Sequence, residues 1–312
     1  MVYNISIVYK AFWSSTLRLC REFFYYGAVM KTVFPGEDEQ YLAEAIKRFK
    51  AASHPVTLTG AGISVGSGIP DFRSADGLWK VFSPDEYATL DVFMGNPAKA
   101  WQLYRAMGMI LIGKEPNPAH LALVELENRE LLHGVITQNV DNLHQLAGNT
   151  KVLEIHGDHL HLQCIKCGQL IPVTEAHYQA REIPQCEGCE YPLKPNVVLF
   201  GESVRSLAEI HSLIAHCDLL MVVGTSAQVF PAAELPLLVK QQGGLLYEFN
   251  TEQTSLSAGD WCSSPLTDFF IQGDVCETLP FFVRRLTYCL NHNWAGCVLP
   301  GGACPVKSMR YL

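Results

Sequence analysis

Cys164-x2-Cys167 and Cys186-x2-Cys189 are separated by 18 residues. At that spacing two short turns, each presenting a pair of thiolates, close a tetrahedron around zinc. Four thiolates leave no coordination position open, so such an ion is structural rather than catalytic. Gly168 and Gly188 are the residues expected to make the two tight turns. The chain holds eleven cysteines in 312 residues. An odd count in a chain this long suits a reducing compartment with a metal site better than a disulfide scaffold.

A second group of residues could bind an anion and sugars. Gly60, Ala61, Gly62 and Ile63 follow the β-rich run PVTLT, and glycine lets a backbone turn tightly against a phosphate. No Gly-Lys-Ser/Thr follows, so this is not a Walker loop. The next glycine, Gly66, comes one residue late for G-x-G-x-x-G, and the acidic residue expected about 20 residues on is not evident. An ordinary dehydrogenase therefore fits badly. Asp71, Phe72 and Arg73 follow, an aromatic flanked by an acid and a guanidinium, which suits a planar or charged ligand. Gln138, Asn139, Asp141 and Asn142 stand just past an apolar run, where amides and a carboxylate can hydrogen-bond sugar hydroxyls and a carboxamide, or cap a helix. His156 closes the run KVLEI and titrates near neutrality, which is what a general base needs.

These groups need a scaffold that gathers strand ends. Segments that open apolar and end polar, at 55–60, 133–143, 217–226, 243–252 and 269–274, alternate with helical patterns over 38–51, 118–130 and 232–241. That order predicts an α/β fold: a Rossmann-like, doubly wound parallel sheet, with the ligand beyond the carboxyl ends of its strands. The strands end in GAGIS, TQNVDN, GTS and NTE. The stretch at about 160–195, with its cysteine pairs, reads as a small inserted zinc-binding module. Residues 1–34 read as a leader, with Met30 as a plausible start or 1–29 as a targeting peptide, and 291–312 as a tail. Hydrophobic residues make up 48% and charged residues 17%, an ordinary globular balance. A net charge of −8 gives no general pull toward nucleic acid. No run of about 18 apolar residues suggests a membrane span.

Taken in order, GAGIS-x5-PDFR, TQNVDNLH, HGDH, the two cysteine pairs, NVVLFGE, GTS and FNTE resemble the sirtuin family, the NAD-dependent protein deacylases, over about residues 35–285. The resemblance implies NAD+ as co-substrate, one structural Zn2+ and acylated-lysine proteins or peptides as substrates. It implies that Gly60, Ala61, Gly62 and Ile63 form the pyrophosphate loop, and that Asp71, Phe72 and Arg73 form a mobile segment over the nicotinamide ribose. Gln138, Asn139 and Asp141 match the ribose and nicotinamide pocket, and Asn139 and Asp141 join His156, the general base, as catalytic residues. Gly224, Thr225 and Ser226 match phosphate and ribose contacts, Asn250, Thr251 and Glu252 the adenosine ribose, and Cys276 the adenine edge. Val198, Phe200, Gly201 and Glu202 lie in the stretch that resembles the strand pairing with substrate peptide. In the implied reaction nicotinamide leaves the ribose and the acyl group passes from lysine to ADP-ribose.

The EFNTE ending resembles the desuccinylase-type branch, whose acyl pocket carries Tyr-x-x-Arg. Here Tyr104 is followed by Met107, which cannot pair with a succinyl carboxylate, and Arg105 is offset. Acetyl or apolar acyl groups are therefore the expected substrates, unless Tyr104 and Met107 are only core residues. The alternatives are a sirtuin-type mono-ADP-ribosyltransferase and a non-enzymatic zinc-ribbon binding module. A cytoplasmic monomer without nucleic-acid or membrane partners is expected, with a mitochondrial address in 1–29 left open.

Overall fold

The computed structural model describes residues 30–73, 77–260 and 264–291. Most of the expected leader and nearly all of the expected tail lie outside these residues. In chain order the strands are β1 (Lys31–Val33), β2 (Pro55–Thr59), β3 (Val135–Thr137), β4 (Val152–Glu154), β5 (Gly157–Gln163), β6 (Leu170–Pro172), β7 (Lys194–Val197), β8 (Leu219–Val223), β9 (Leu245–Asn250) and β10 (Phe269–Gln272).

Seven of them form one sheet in the order β1-β10-β9-β8-β2-β3-β4, and every neighbouring pair is parallel. β2 and β8 are adjacent at its centre, and the chain order runs outward from them in both directions, to β4 on one side and to β10 on the other, with β1 added beyond β10. That is a topological switch point, where a crevice opens beyond the carboxyl ends of the strands. Every residue of β2 and β8 is buried, which is why β8 reads as an unbroken apolar run and β2 carries only small threonines among its apolar residues.

One face of the sheet is covered by helices Glu39–Ala51, Pro118–Asn128 and Val275–Asn291, whose apolar stripes join a single core cluster. Leu42, Ala45, Ile46 and Phe49 supply the stripe of the first, as their 3-4 spacing requires. Helices Leu207–Ile214 and Leu235–Gln241 cover the other face. The pattern expected over 232–241 splits, with Ala232–Glu234 as a 3-10 turn before the helix. Among the described residues no helix is long and apolar enough to cross a membrane.

An expected boundary shifts. β1 falls inside the stretch read as leader, yet Lys31, Thr32 and Val33 pair with Phe269, Phe270 and Ile271 as the sheet's edge strand. Three residues are too few to show a period. The small zinc-binding module is present as expected, and it starts earlier than about residue 160. Its antiparallel sheet runs β6-β5-β7, and β5 starts at Gly157, immediately after His156. Helix Pro97–Leu111, begun by Pro97 and capped by the Asn96 side chain on the Lys99 amide, packs against this module in a third core cluster.

Candidate active site

β2 and β8 each end in a glycine-bearing loop, and the loops interlock. The Gly60 amide donates to the Val223 carbonyl at 3.1 Å and the Gly62 amide to the Gly224 carbonyl at 2.8 Å. A Cβ on Gly60 would stand 2.6 Å from the Thr225 Cβ, and one on Gly62 would stand 2.7 Å from the Gly224 Cα. Gly224 has φ +58, and its own Cβ would stand 2.4 Å from the Ile63 nitrogen. The close approach that demands glycine here is made by the chain's own backbone, not first of all by a ligand. The late third glycine faces a side chain instead, since a Cβ on Gly66 would meet the Cys276 Sγ at 2.3 Å.

Beyond these loops lies a cleft of about 920 Å³, at the upper end of the range for sites that take a small molecule. Gly60, Ala61 and Gly62, Gln138, Asn139 and Asp141, Gly224, Thr225 and Ser226, and Asn250, Thr251 and Glu252 line it from the sheet side. Asp71, Phe72 and Arg73 line it from above. The Arg73 guanidinium reaches the Ser226 hydroxyl at 3.4 Å, and the Phe72 ring lies against Trp79 with centroids 4.8 Å apart. Two residues assigned to the cofactor stand off this wall. Ile63 is fully buried in the core beneath the loop. Cys276, at the start of the last helix, is turned onto Gly66.

Hydrogen bonds fix the polar wall. Asn139 Nδ2 donates to the Gly60 carbonyl and to Ser64 Oγ, both at 3.1 Å, and Ser64 Oγ donates to Asp141 at 2.7 Å. Burial raises the Asp141 carboxyl above its usual range, while the Leu143 amide and the Ser64 hydroxyl pull it back. Gln138 Nε2 donates to Thr225 Oγ1 at 2.8 Å, and Asn250 Nδ2 to the Thr225 carbonyl at 3.2 Å. The ends of β2, β3, β8 and β9 are thereby locked to one another. Ser64, absent from the expected site, is 1% exposed and ties Asn139 to Asp141; the last letter of GAGIS is its signal in the sequence. Asn142, by contrast, is turned onto Glu154 at 2.7 Å.

His156 lines the same cleft, with Nδ1 3.0 Å from the Gln138 carbonyl. A carbonyl can only accept, so Nδ1 carries the hydrogen and Nε2 keeps its lone pair. Burial lowers the imidazole pKa from its ordinary 6.5, partly offset by that carbonyl. The ring is therefore neutral near pH 7 and able to accept a proton.

At the far end stand Tyr104 and Met107 of helix Pro97–Leu111, with Val198, Phe200, Gly201 and Glu202 across from them. The Tyr104 hydroxyl is buried without a partner, and burial, aided by the Glu202 charge, pushes the phenol up. Arg105 faces away from the cleft and donates to the carbonyls of Ala180, Arg181 and Glu182. The VVLFGE stretch is not a free edge. β7 stops at Val197. The Val198 amide donates to the His156 carbonyl and the Phe200 amide to Ala88. The Leu199 amide donates to Glu202, whose carboxylate also pairs with buried Lys194 at 3.0 Å.

The sulfurs of Cys164, Cys167, Cys186 and Cys189 all lie within 4.8 Å of one another. Three of their separations are 3.3, 3.6 and 3.8 Å, against about 3.8 Å for the edge of a tetrahedron with 2.3 Å zinc–sulfur arms. The donor set fits zinc, and none of the four lines the cleft. The left-handed residue closing each knuckle is the fourth after its first cysteine: Gly168 at φ +78 and Glu190 at φ +54, rather than Gly188.

The family model described as Sir2 family matches residues 60–231. An NAD-dependent protein deacylase of Thermococcus kodakarensis is 40% identical over 252 residues, covering 78% of this chain and 95% of the relative. A solved Sir2 homologue mutant in complex with ADP-ribose superimposes with a TM-score of 0.74 at 36% identity, covering 80% of this chain and 97% of the other. A Sir2 structure with a p53 peptide and NAD+ superimposes with a TM-score of 0.67 at 32% identity, covering 80% and 99%.

Proposed function

The chain belongs to the Sir2 family, and on that footing we propose how its cleft divides the work of the reaction. The protein is an NAD-dependent protein-lysine deacylase with NAD+ as co-substrate, a structural zinc site and acylated proteins or peptides as substrates. When bound, NAD+ supplies a ribose carbon from which nicotinamide departs and a ribose that receives the acyl group.

The remaining work falls to the chain. The interlocked loops at Gly60–Gly62 and Gly224–Ser226 present backbone and hydroxyl groups to the phosphates, and Asn250, Thr251 and Glu252 hold the adenosine ribose. Gln138, Asn139 and Asp141, fixed by Thr225 and Ser64, orient the nicotinamide and its ribose. Phe72 and Arg73 cover the ribose and keep water out. His156 takes a proton from a ribose hydroxyl at Nε2. The observation that carries this assignment is the Gln138 carbonyl on Nδ1, which holds that lone pair free.

The acyl-lysine enters between Phe200 and helix Pro97–Leu111, and its acyl chain meets Tyr104 and Met107. Acetyl or apolar acyl groups are removed in preference to succinyl. Among the described residues Arg73 is the only lysine or arginine on the cleft wall, and it reaches Ser226 at the cofactor end. The count of eleven cysteines favours the cytoplasm. The test is NAD-dependent deacylation of matched acetyl-, myristoyl- and succinyl-lysine peptides. Faster removal of succinyl than of acetyl would overturn the acyl assignment, and label transferred from NAD+ to protein without deacylation would favour an ADP-ribosyltransferase.

A further inference from the structure

Tyr178 touches two walls of the cleft at once. It lies on the short helix Glu175–Gln179 of the zinc module and is 3% exposed. Its hydroxyl stands 2.8 Å from Nδ1 of His159, three residues beyond His156 and itself on the cleft wall. The His159 amide in turn donates to the Val140 carbonyl at 3.0 Å, between Asn139 and Asp141. The Tyr178 ring is seated on Gly108 of helix Pro97–Leu111. A Cβ at 108 would meet the ring's Cγ and Cδ2 at 2.4 Å and its Cδ1 at 2.5 Å. Gly108 follows Met107 directly.

The seat is held from both sides. Arg105, on the same helix, is bound by three carbonyls just past the Tyr178 helix. Trp101 Nε1 donates to the Leu193 carbonyl at 2.8 Å. Only a residue without a side chain at 108 admits the ring, and only a hydroxyl at the ring's far end reaches the imidazole. Burial pushes His159 down to about 4, so the pair is a neutral hydrogen bond, and the imidazole nitrogen would lose its partner without it.

We propose that Tyr178 is a positioning residue that sets acyl-chain specificity. Its ring, wedged on Gly108, and its hydroxyl, on His159, fix the Met107 wall relative to the strand that follows His156. The zinc module thereby decides how long an acyl chain fits, without touching the substrate. This rests on the deacylase reading above. Ring and hydroxyl have separable effects. Without the ring a void opens over Gly108, beside Met107, whose flexible side chain can turn toward it and deepen the pocket. Without the hydroxyl alone the wall stays, but the His159 strand loses its tether.

The test measures kcat and KM on acetyl-, butyryl- and octanoyl-lysine peptides, with zinc content per chain, for wild type, Tyr178→Phe, Tyr178→Ala, Gly108→Ala and the Gly108→Ala/Tyr178→Ala double variant. Tyr178→Phe should lower kcat about fivefold on every peptide with the octanoyl-to-acetyl ratio unchanged. Tyr178→Ala should raise that ratio about tenfold, because a methylene-lined space is gained. Gly108→Ala should lower the ratio by pressing the ring inward, and in the double variant it should return the ratio part way by refilling the void. An unchanged ratio in Tyr178→Ala with zinc retained overturns the proposal. If Tyr178→Ala fails to bind zinc, an unchanged ratio in Gly108→Ala overturns it instead. Wild type that removes no acyl group at all would overturn the deacylase reading itself, a distinct outcome.

Discussion

The Nδ1 atom of His156 stands 3.0 Å from the carbonyl oxygen of Gln138, and the side chain of the same glutamine reaches across the cleft to Thr225. One residue at the end of β3 thus fixes the tautomer of the proposed base and ties it to the loop that interlocks with the glycine turn. Burial lowers the pKa of His156 below 6.5. The neutral form therefore persists as pH falls through 6.5 and is lost only lower. In a profile of kcat/KM against pH, the acid limb should have its midpoint below 6.5. A midpoint above that value would mean that a carboxylate or solvent, not burial, governs the imidazole.

Other buried histidines bear on stability. His144 and His159 are both pushed from 6.5 to about 4 by burial. A histidine with a depressed folded pKa contributes stability that is present above 6.5 and lost as pH falls toward 4, because the unfolded chain takes up the proton first. Each contributes on the order of 3 kcal/mol at most. Urea midpoints should fall steeply between pH 6.5 and pH 4, and His159→Gln should flatten that decline. A midpoint constant across this window would contradict the buried, neutral placement.

Met107→Arg should convert the acyl preference. The side chain lies in the cleft wall one helical turn from the Tyr104 hydroxyl, which has no partner. A guanidinium there would give a succinyl carboxylate a charge-assisted partner. The ratio of kcat/KM for succinyl- over acetyl-lysine peptides should rise at least tenfold, corresponding to about 1.4 kcal/mol. No rise would mean that the acyl chain does not reach Met107.

Gly62→Ala should damage the cofactor end. The added methyl would stand 2.7 Å from both the Cα and the carbonyl oxygen of Gly224, backbone atoms that cannot swing aside. Overpacking of this kind costs about 1–3 kcal/mol. A lowered melting temperature is expected, with most of the stabilisation by added NAD+ lost. Wild-type stabilisation by NAD+ in this variant would show that the two loops are free to part.

Removing zinc should abolish activity together with the module's fold. β5 begins one residue after His156 and pairs with both β6 and β7, so melting the module frees the strand next to the base. Structural zinc in small modules contributes about 10–16 kcal/mol. Zinc released on titration with a thiol reagent should approach one per chain, with activity falling in step. Full activity in zinc-free protein would contradict this coupling.

The sheet was legible because its buried parallel strands are rich in apolar and β-branched residues, and the cleft because their polar ends, GAGIS, TQNVDN, GTS and NTE, fall on one side of it. The zinc site was legible from spacing alone. What sequence could not show is which groups meet across long separations. Gly60 and Gly62 face Gly224 and Thr225, Gly66 faces Cys276, and Gly108 faces Tyr178. None of these contacts has a local period. Ile63 belongs to a motif yet points into the core, because the 3-10 turn at Ala61–Ser67 rotates it away from the cleft. β1, at three residues, is too short to show a period and is placed by its pairing with β10.

The most direct measurement is turnover of an acetyl-lysine peptide with NAD+ by wild type and His156→Ala, following free lysine and nicotinamide together. Wild type should form both in equal amounts, and His156→Ala should form at least a hundredfold less free lysine. Undiminished lysine release by His156→Ala would remove His156 from the role of base.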